Sequence, residues 1–230
     1  MASESQTGSL LRTLVASKPG GRFLELGTGT GVATAWLLAG MDQASQLESV
    51  DNDPTVVAIA RRHLGSDPRV TFHLDDGAAF INRQTADSYD FVFADAWPGK
   101  FSHLEQALAL VRFGGIYFID DLLPQPNWPA GHAPAVTTLI ERLATHDRFV
   151  ATELAWASGL MVLVRTRVRR PRRLFPCAGR GRHRLAACNP AHQGSCPSRR
   201  PARSAPVRRC ADRRTAPRGL RTLPATLARH

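Results

Sequence analysis

The sequence predicts an α/β fold: a doubly wound, seven-stranded sheet whose last strand pair is antiparallel. Three observations carry that expectation. Short apolar runs alternate with helix-period segments from residue 21 onward, the pattern of a parallel sheet covered on both faces. A glycine-rich turn joins the first run to the first helix. The final two runs are separated only by residues 157–159, too few for a crossover helix, so they must pair antiparallel.

The elements follow in order. Residues 9–16 read as a helix before the sheet. Residues 22–26 form the first strand, ending in Gly27, Gly29 and Gly31. Residues 32–38 are helical, and 47–50 form the second strand with Asp51 at its end. Pro54 suits a helix first turn, and Val56, Val57, Ile59, Ala60 and Leu64 give that helix an apolar face. Residues 69–74 and 89–94 are strands three and four, the latter apolar enough to be buried on both faces. A helix over 103–111 stops at Gly114-Gly115, and strand five follows at 116–119. A helix over 133–144 and strands at 149–156 and 160–164 complete the sheet by about residue 165, so residues 1–165 are expected to form one domain.

Charge divides the chain at that point. Of 30 Lys+Arg and 19 Asp+Glu, residues 166–230 hold 18 Arg, no Lys and Asp212 alone, a net +17. The first 165 residues are therefore net −6. All four cysteines (Cys177, Cys188, Cys196, Cys210) lie in the tail at spacings that match no zinc pattern. The tail has one aromatic residue, Phe175, and no helix or strand period. It reads as disordered, or as the product of a reading frame that slipped. A basic tail binds phosphate backbones weakly and salt-dependently, which leaves a nucleic-acid-binding protein or an RNA methyltransferase as the alternative reading. No run approaches the roughly 20 apolar residues of a membrane span, and the N-terminus lacks a basic-then-apolar signal pattern. A cytoplasmic protein without a membrane partner is expected.

The glycine turn reads Glu25-Leu26-Gly27-Thr28-Gly29-Thr30-Gly31. A turn of this kind lets a ligand approach the main chain, and the helix behind it offers free N–H groups. Asp51 lies 20 residues after Gly31, where a carboxylate accepts the hydroxyls of a ribose. The G-x-G-x-x-G pattern of nicotinamide enzymes fails at Val32. An acid two residues before the first glycine suits a cofactor bearing an ammonium group. S-adenosylmethionine (SAM) has an α-ammonium, a ribose and an adenine. Glu25, Gly27, Gly29, Gly31, Asp51 and Asp76-Gly77-Ala78 are the expected binding set, with Asp76 facing the adenine amino group. The alternative is a tight turn with ordinary helix caps.

With these motifs the chain resembles class I SAM-dependent methyltransferases of Rossmann-like fold, over about residues 20–165. It looks most like small-molecule O-methyltransferases of the catechol type, through residues 49–54 (SVDNDP), 93–97 (FADAW) and 118–121 (FIDD). The resemblance implies a small-molecule hydroxyl substrate. It also implies a divalent metal, usually Mg2+, held by an acid after strand four and an Asp–Asn pair after strand five. Here those positions are Asp95, Asp120 and Asp121, oxygen donors suited to magnesium, calcium or manganese. A bound cation would lower the pKa of the attacking hydroxyl. The competing reading is that these acids cap helices and turns.

Two departures stand out. The family's Asp–Asn pair is Asp–Asp in this chain, and Pro98-Gly99 separates Trp97 from Lys100, displacing the lysine by two positions. Lys100, with Asp95, is the candidate for taking the hydroxyl proton or stabilising the oxyanion. Trp97, Trp128 and His132 either line the substrate pocket or simply pack, and His103 reads as a helix start. The segment before strand one is short, so residues 9–16, loop 124–134 and a second subunit of a homodimer are expected to shape the pocket.

Overall fold

Parallel strands that are buried on both faces must alternate their side chains between two helical layers, and the chain does so. The computed structural model describes residues 4–126 and 128–167. The strands are β1 (Arg22–Leu26), β2 (Gln46–Asp51), β3 (Val70–Leu74), β4 (Tyr89–Ala94), β5 (Val111–Ile119), β6 (Phe149–Leu154) and β7 (Leu160–Arg165). They form one sheet in the order β3-β2-β1-β4-β5-β7-β6. The first five run parallel, while β7 is antiparallel to both β5 and β6. The antiparallel final pair matches the expectation. Its insertion, with β7 between β5 and β6, is set by pairing and not by the hairpin's length.

Helices α1 (Ser5–Ala16) and α2 (Val32–Gly40) cover one face. Their Leu11, Val15, Ala33, Leu37 and Leu38 pack on Phe23, Phe91, Phe93 and Phe118. Helices α4 (Gly77–Arg83), α6 (Leu104–Leu110) and α7 (His132–Ala144) cover the other. There Phe80, Ile81, Leu104, Leu108, Val136 and Leu139 meet Leu24, Leu26, Val92, Ala94, Tyr117 and Ile119. Helix α3 (Pro54–Leu64) is capped by Asp53, which accepts from Thr55 N at 2.8 Å, with Pro54 in the first turn. Each fully buried Phe or Leu contributes about 1.5–3 kcal/mol.

Several sequence expectations shift. Helix α1 begins at Ser5, four residues earlier than expected. The helix expected over 103–111 is α6, Leu104–Leu110, and His103 takes its N-cap position in the left-handed region (φ 53°). Strand β5 starts at Val111 and runs through Gly114-Gly115. Its pairing with β4 shifts register between Tyr89 and Phe91, which accommodates the glycines as a bulge. Strand β6 ends at Leu154, not 156. Helix α4 was not expected at all. From residue 168 on, the expected disordered tail lies outside the described residues. Among the described residues no helix is long and apolar enough to cross a membrane.

The sheet is closed by Arg165, so a chain ended after Arg167 is expected to fold alone. Its melting temperature should lie within about 2 °C of the full chain, less than the shift caused by 1 kcal/mol in a domain of this size. Scanning calorimetry of both chains checks this, and a fall of 10 °C would show that the remaining residues support the fold.

Candidate functional site

In a doubly wound sheet the connections leave in opposite directions on either side of one strand pair, opening a crevice at the carboxyl ends. Here that pair is β1 and β4. The strand ends are tied together. Gly27 N donates to Val50 O (2.9 Å) and Asp95 N to Leu26 O (2.8 Å). Gly27 has φ +102°, and a Cβ there would lie 2.7 Å from the Asp95 carbonyl oxygen, so only glycine fits.

Two adjoining cavities open over this junction. One, of about 310 Å3, is lined by Gly27, Gly29, Asp51, Asp95, Trp97, Lys100, Asp120, Asp121, His132 and Ser158 among others. The second, of about 460 Å3, is lined by Gly27, Asp51, Asn52, Asp76, Gly77, Ala78 and Trp97 among others. Of the expected cofactor set, Gly27, Gly29, Asp51, Asp76, Gly77 and Ala78 therefore converge. Asp51 Oδ2 accepts from Gly29 N at 2.9 Å and Oδ1 from Asp53 N at 3.0 Å, which fixes the carboxylate beside the turn. Asp76 also caps α4, accepting from Ala79 N at 2.8 Å, so the cap reading and the cavity reading both hold for it. A Cβ on Gly29 would meet nothing within 4 Å, so the space above the turn is open.

Two members of the set lie elsewhere. Gly31 packs α2 against Ala60 and Leu64 of α3 and lines neither cavity. Glu25 is fully buried beneath the turn. Its Oε2 accepts from the hydroxyls of Thr34 and Ser49, and its Oε1 has no partner. Strand alternation explains the placement: Leu24 and Leu26 face one helical layer, so Glu25 must face the other. Burial pushes its carboxyl up to about 8, against hydrogen bonds from Ser49 and Thr34 that pull it down. Burial thus favours its neutral form.

The acidic cluster departs from a metal site. Lys100 Nζ sits 3.0 Å from Asp95 Oδ1 with its side chain 6% exposed. Asp120 Oδ1 accepts from Ser158 Oγ and from Asp121 N (2.7 Å). Asp121, at φ +63°, turns its carboxylate to Trp128 Nε1, 3.1 Å from both oxygens. Among the described residues no three His, Cys, Asp or Glu side chains are gathered to hold an ion. The three carboxylates expected to share Mg2+ do not fit one, because each is already held by a separate donor. Burial and the Asp95 charge push the Asp120 carboxyl up to about 6, while Ser158, Asp121 N and Lys100 pull it down.

The displaced lysine is brought back by backbone geometry. Pro98 is extended (ψ 129°) and Gly99 has φ +95°, inside the turn α5 (Trp97–Lys100). Tyr117 OH donates to Gly99 O at 2.7 Å, and a Cβ at Gly99 would press Leu26 at 2.8 Å. The turn is thus clamped onto β1 and β5 and points Lys100 at Asp95. Ser158 was missed by sequence reasoning. The Ser158-Gly159 turn was visible, but not that β7 would pair with β5. Leu122 N and Leu123 N bond to Gly159 O (2.9 Å) and Ser158 O (2.8 Å), docking that turn beside Asp120.

Known proteins bear on this geometry. A family described as a methyltransferase domain matches residues 24–122. A protein of Mycobacterium avium named as an O-methyltransferase is 32% identical over 168 residues, covering 69% of this chain and 76% of that one. A namesake of Mycobacterium marinum is 30% identical over 169 residues, covering 69% and 75%. The fold is that of the O-methyltransferase TomG of Streptomyces achromogenes, solved in complex with SAM. Its TM-score is 0.62 at 23% identity, covering 72% of this chain and 82% of that chain. An O-methyltransferase of Bacillus cereus in complex with SAH gives 0.61 at 24%, covering 71% and 82%.

Glu25 makes a pH test. Its folded pKa is raised above the unfolded value of 4.5. Between about 4.5 and 8 the folded chain keeps a proton that the unfolded chain releases, so stability falls as pH rises through that window and levels off above it. Glu25→Gln keeps the acceptor for Ser49 and Thr34 without the titration. Its melting temperature relative to the parent should therefore climb by several degrees from pH 5 to pH 8, at about 2–4 °C per kcal/mol. A constant difference across that range, measured by thermal unfolding, would show that Glu25 is ionised in the fold.

Proposed function

Because this chain belongs to the class I SAM-dependent O-methyltransferases, we propose that it methylates an oxygen of a small molecule, with the donor over the glycine turn and the acceptor beside Lys100. The observation that carries this reading is that the two cavities share the walls Gly27, Asp51, Ala96 and Trp97. A donor held at one lies next to an acceptor held at the other, and orientation is the main contribution an enzyme makes to such a displacement. When bound, SAM supplies an electrophilic methyl on a sulfonium: the C–S bond breaks as the new C–O bond forms, and the hydroxyl proton is lost.

The residues divide the work. Asp51 receives the ribose hydroxyls, with its carboxylate already fixed by Gly29 N and Asp53 N. Asp76, Gly77 and Ala78 meet the adenine. Glu25 does not reach the cavity wall and instead locks β1, β2 and α2 beneath the turn. Lys100 carries the positive charge at the acceptor end. Held by Asp95 and largely out of water, it stabilises an oxyanion as it develops. No step is assigned to a divalent cation, because Asp95, Asp120 and Asp121 are each engaged by other donors. An RNA acceptor gains no support from the described residues. The cavity wall carries Asp51, Asp95, Asp120 and Asp121 against one lysine, a poor surface for phosphates.

Two outcomes test this. Asp51→Ala should weaken SAM binding roughly 10- to 100-fold through loss of charge-assisted hydrogen bonds, seen by calorimetry. An unchanged Kd would remove the ribose assignment. Against a panel of phenols and catechols, turnover should persist within about twofold in excess chelator, whereas Lys100→Met should lower kcat by about 10²-fold or more. Activity that collapses with chelator and returns with Mg2+ would restore a metal and displace Lys100 from this role.

A further inference from the structure

We propose that His132 binds the hydroxyl group of the methyl acceptor. This rests on the methyltransferase reading above and adds a residue to it. The observations concern the ring itself. His132 is the first residue of α7, placed there by the left-handed Gly131 before it (φ 85°). It is 8% exposed. Neither Nδ1 nor Nε2 has a hydrogen-bond partner, although both are buried. The nearest acid, Asp121 Oδ2, is 3.9 Å from Nε2, beyond hydrogen-bond reach.

Buried polar atoms in folded proteins almost always find partners, and an orphan calls for a ligand, a water or a functional role. A ring with two orphan nitrogens is an expensive way to fill apolar space, since phenylalanine would pack there without the loss. The surroundings support a ligand. His132 lines the cavity that also holds Asp95, Lys100 and Asp120. Its ring is boxed by Trp128 (centroids 4.5 Å apart), Phe101 (5.0 Å) and Trp97 (5.9 Å). Such walls take the flat apolar body of an acceptor and leave the imidazole as the polar contact for its hydroxyl. Trp97, 55% exposed, forms the outer wall and lines both cavities. Asp121 is held by Trp128 Nε1 and leaves both imidazole nitrogens without a hydrogen bond.

Nitrogen NMR on the full chain tests the proposal, with SAH bound, histidines labelled with 15N, and phenol as the probe. Fluorobenzene, which lacks the hydroxyl, is the control. The His132 resonances are identified by their loss in His132→Phe. Phenol is expected to move a His132 ring nitrogen saturably, and fluorobenzene is not. His132→Phe, which keeps the ring packing, should bind phenol about five- to tenfold more weakly, with SAH affinity and melting temperature unchanged. Phenol that saturates by calorimetry without moving the His132 nitrogens would overturn the proposal. So would equal phenol affinity in His132→Phe, or no saturable binding of phenol. Should His132→Phe fail to fold, His132→Asn serves in its place, and full loss of the phenol preference over fluorobenzene is the supporting result. Failure of SAH to bind counts against the methyltransferase reading alone, because the phenol-dependent shift of His132 is read separately.

Discussion

The close approach of the glycine turn to the end of β4 is the constraint on which the site depends. With no side chain at Gly27, the turn can lie against the Asp95 carbonyl, and Leu26 O and Val50 O can bind the main chain on either side. That contact fixes the carboxyl ends of β1, β2 and β4 as one unit. It sets the distance between the carboxylate after β2 and the carboxylate after β4, which both line the first cavity. A side chain at 27 would separate the two cavities by forcing these strand ends apart, so its effect would reach both halves of the site.

The same geometry explains why opposite chemistries come from acids of similar sequence context. Asp51 accepts from two backbone N–H groups at the cavity wall. Glu25, one strand across and pointing into the helical layer, has only hydroxyl donors, and burial pushes its carboxyl up. Asp120 is buried beside Asp95 but supplied with donors from Ser158 and Asp121 N. Burial and the donors each acid meets, set by where it sits on its strand, thus shape its chemistry, and a motif that names the acid does not by itself name its surroundings.

Much of the fold was legible because its signals are local. Residues 22–26 and 89–94 are strands where apolar runs meet turn residues, and Asp53-Pro54 begins a helix as its capping chemistry requires. Helix α4 was hidden because seven residues carry too little periodicity, and Gly77-Ala78 opens it where a loop is expected. The glycine pair 114–115 reads as a stop, yet it is tolerated inside β5 by a register shift that only the partner strand reveals. The cofactor half of the site was readable for the same reason, since each group sits at its own strand end. The other cavity was legible only in part. Trp97, Trp128 and His132 stood as pocket wall or packing, and Trp97 and His132 line the cavity, whereas Ser158 reaches it through a tertiary contact that no spacing encodes.

Lys100 is set against Asp95 by the turn that carries it. Two added residues in a helix or an extended run would carry the ammonium well away from Asp95. Pro98 and Gly99 instead fold the added chain into a turn, clamped by Tyr117 and Leu26, that returns the ammonium to the β4 carboxylate. Once there it competes with any cation for Asp95. An ammonium and a divalent ion repel, and Asp95 alone cannot satisfy both within a few ångströms. Asp121 reinforces the choice: its left-handed backbone swings its carboxylate to Trp128, where it steadies the loop that carries His132. Lys100 and Asp121 therefore give this side of the cavity a fixed side-chain charge and, through Trp128 and His132, an aromatic wall.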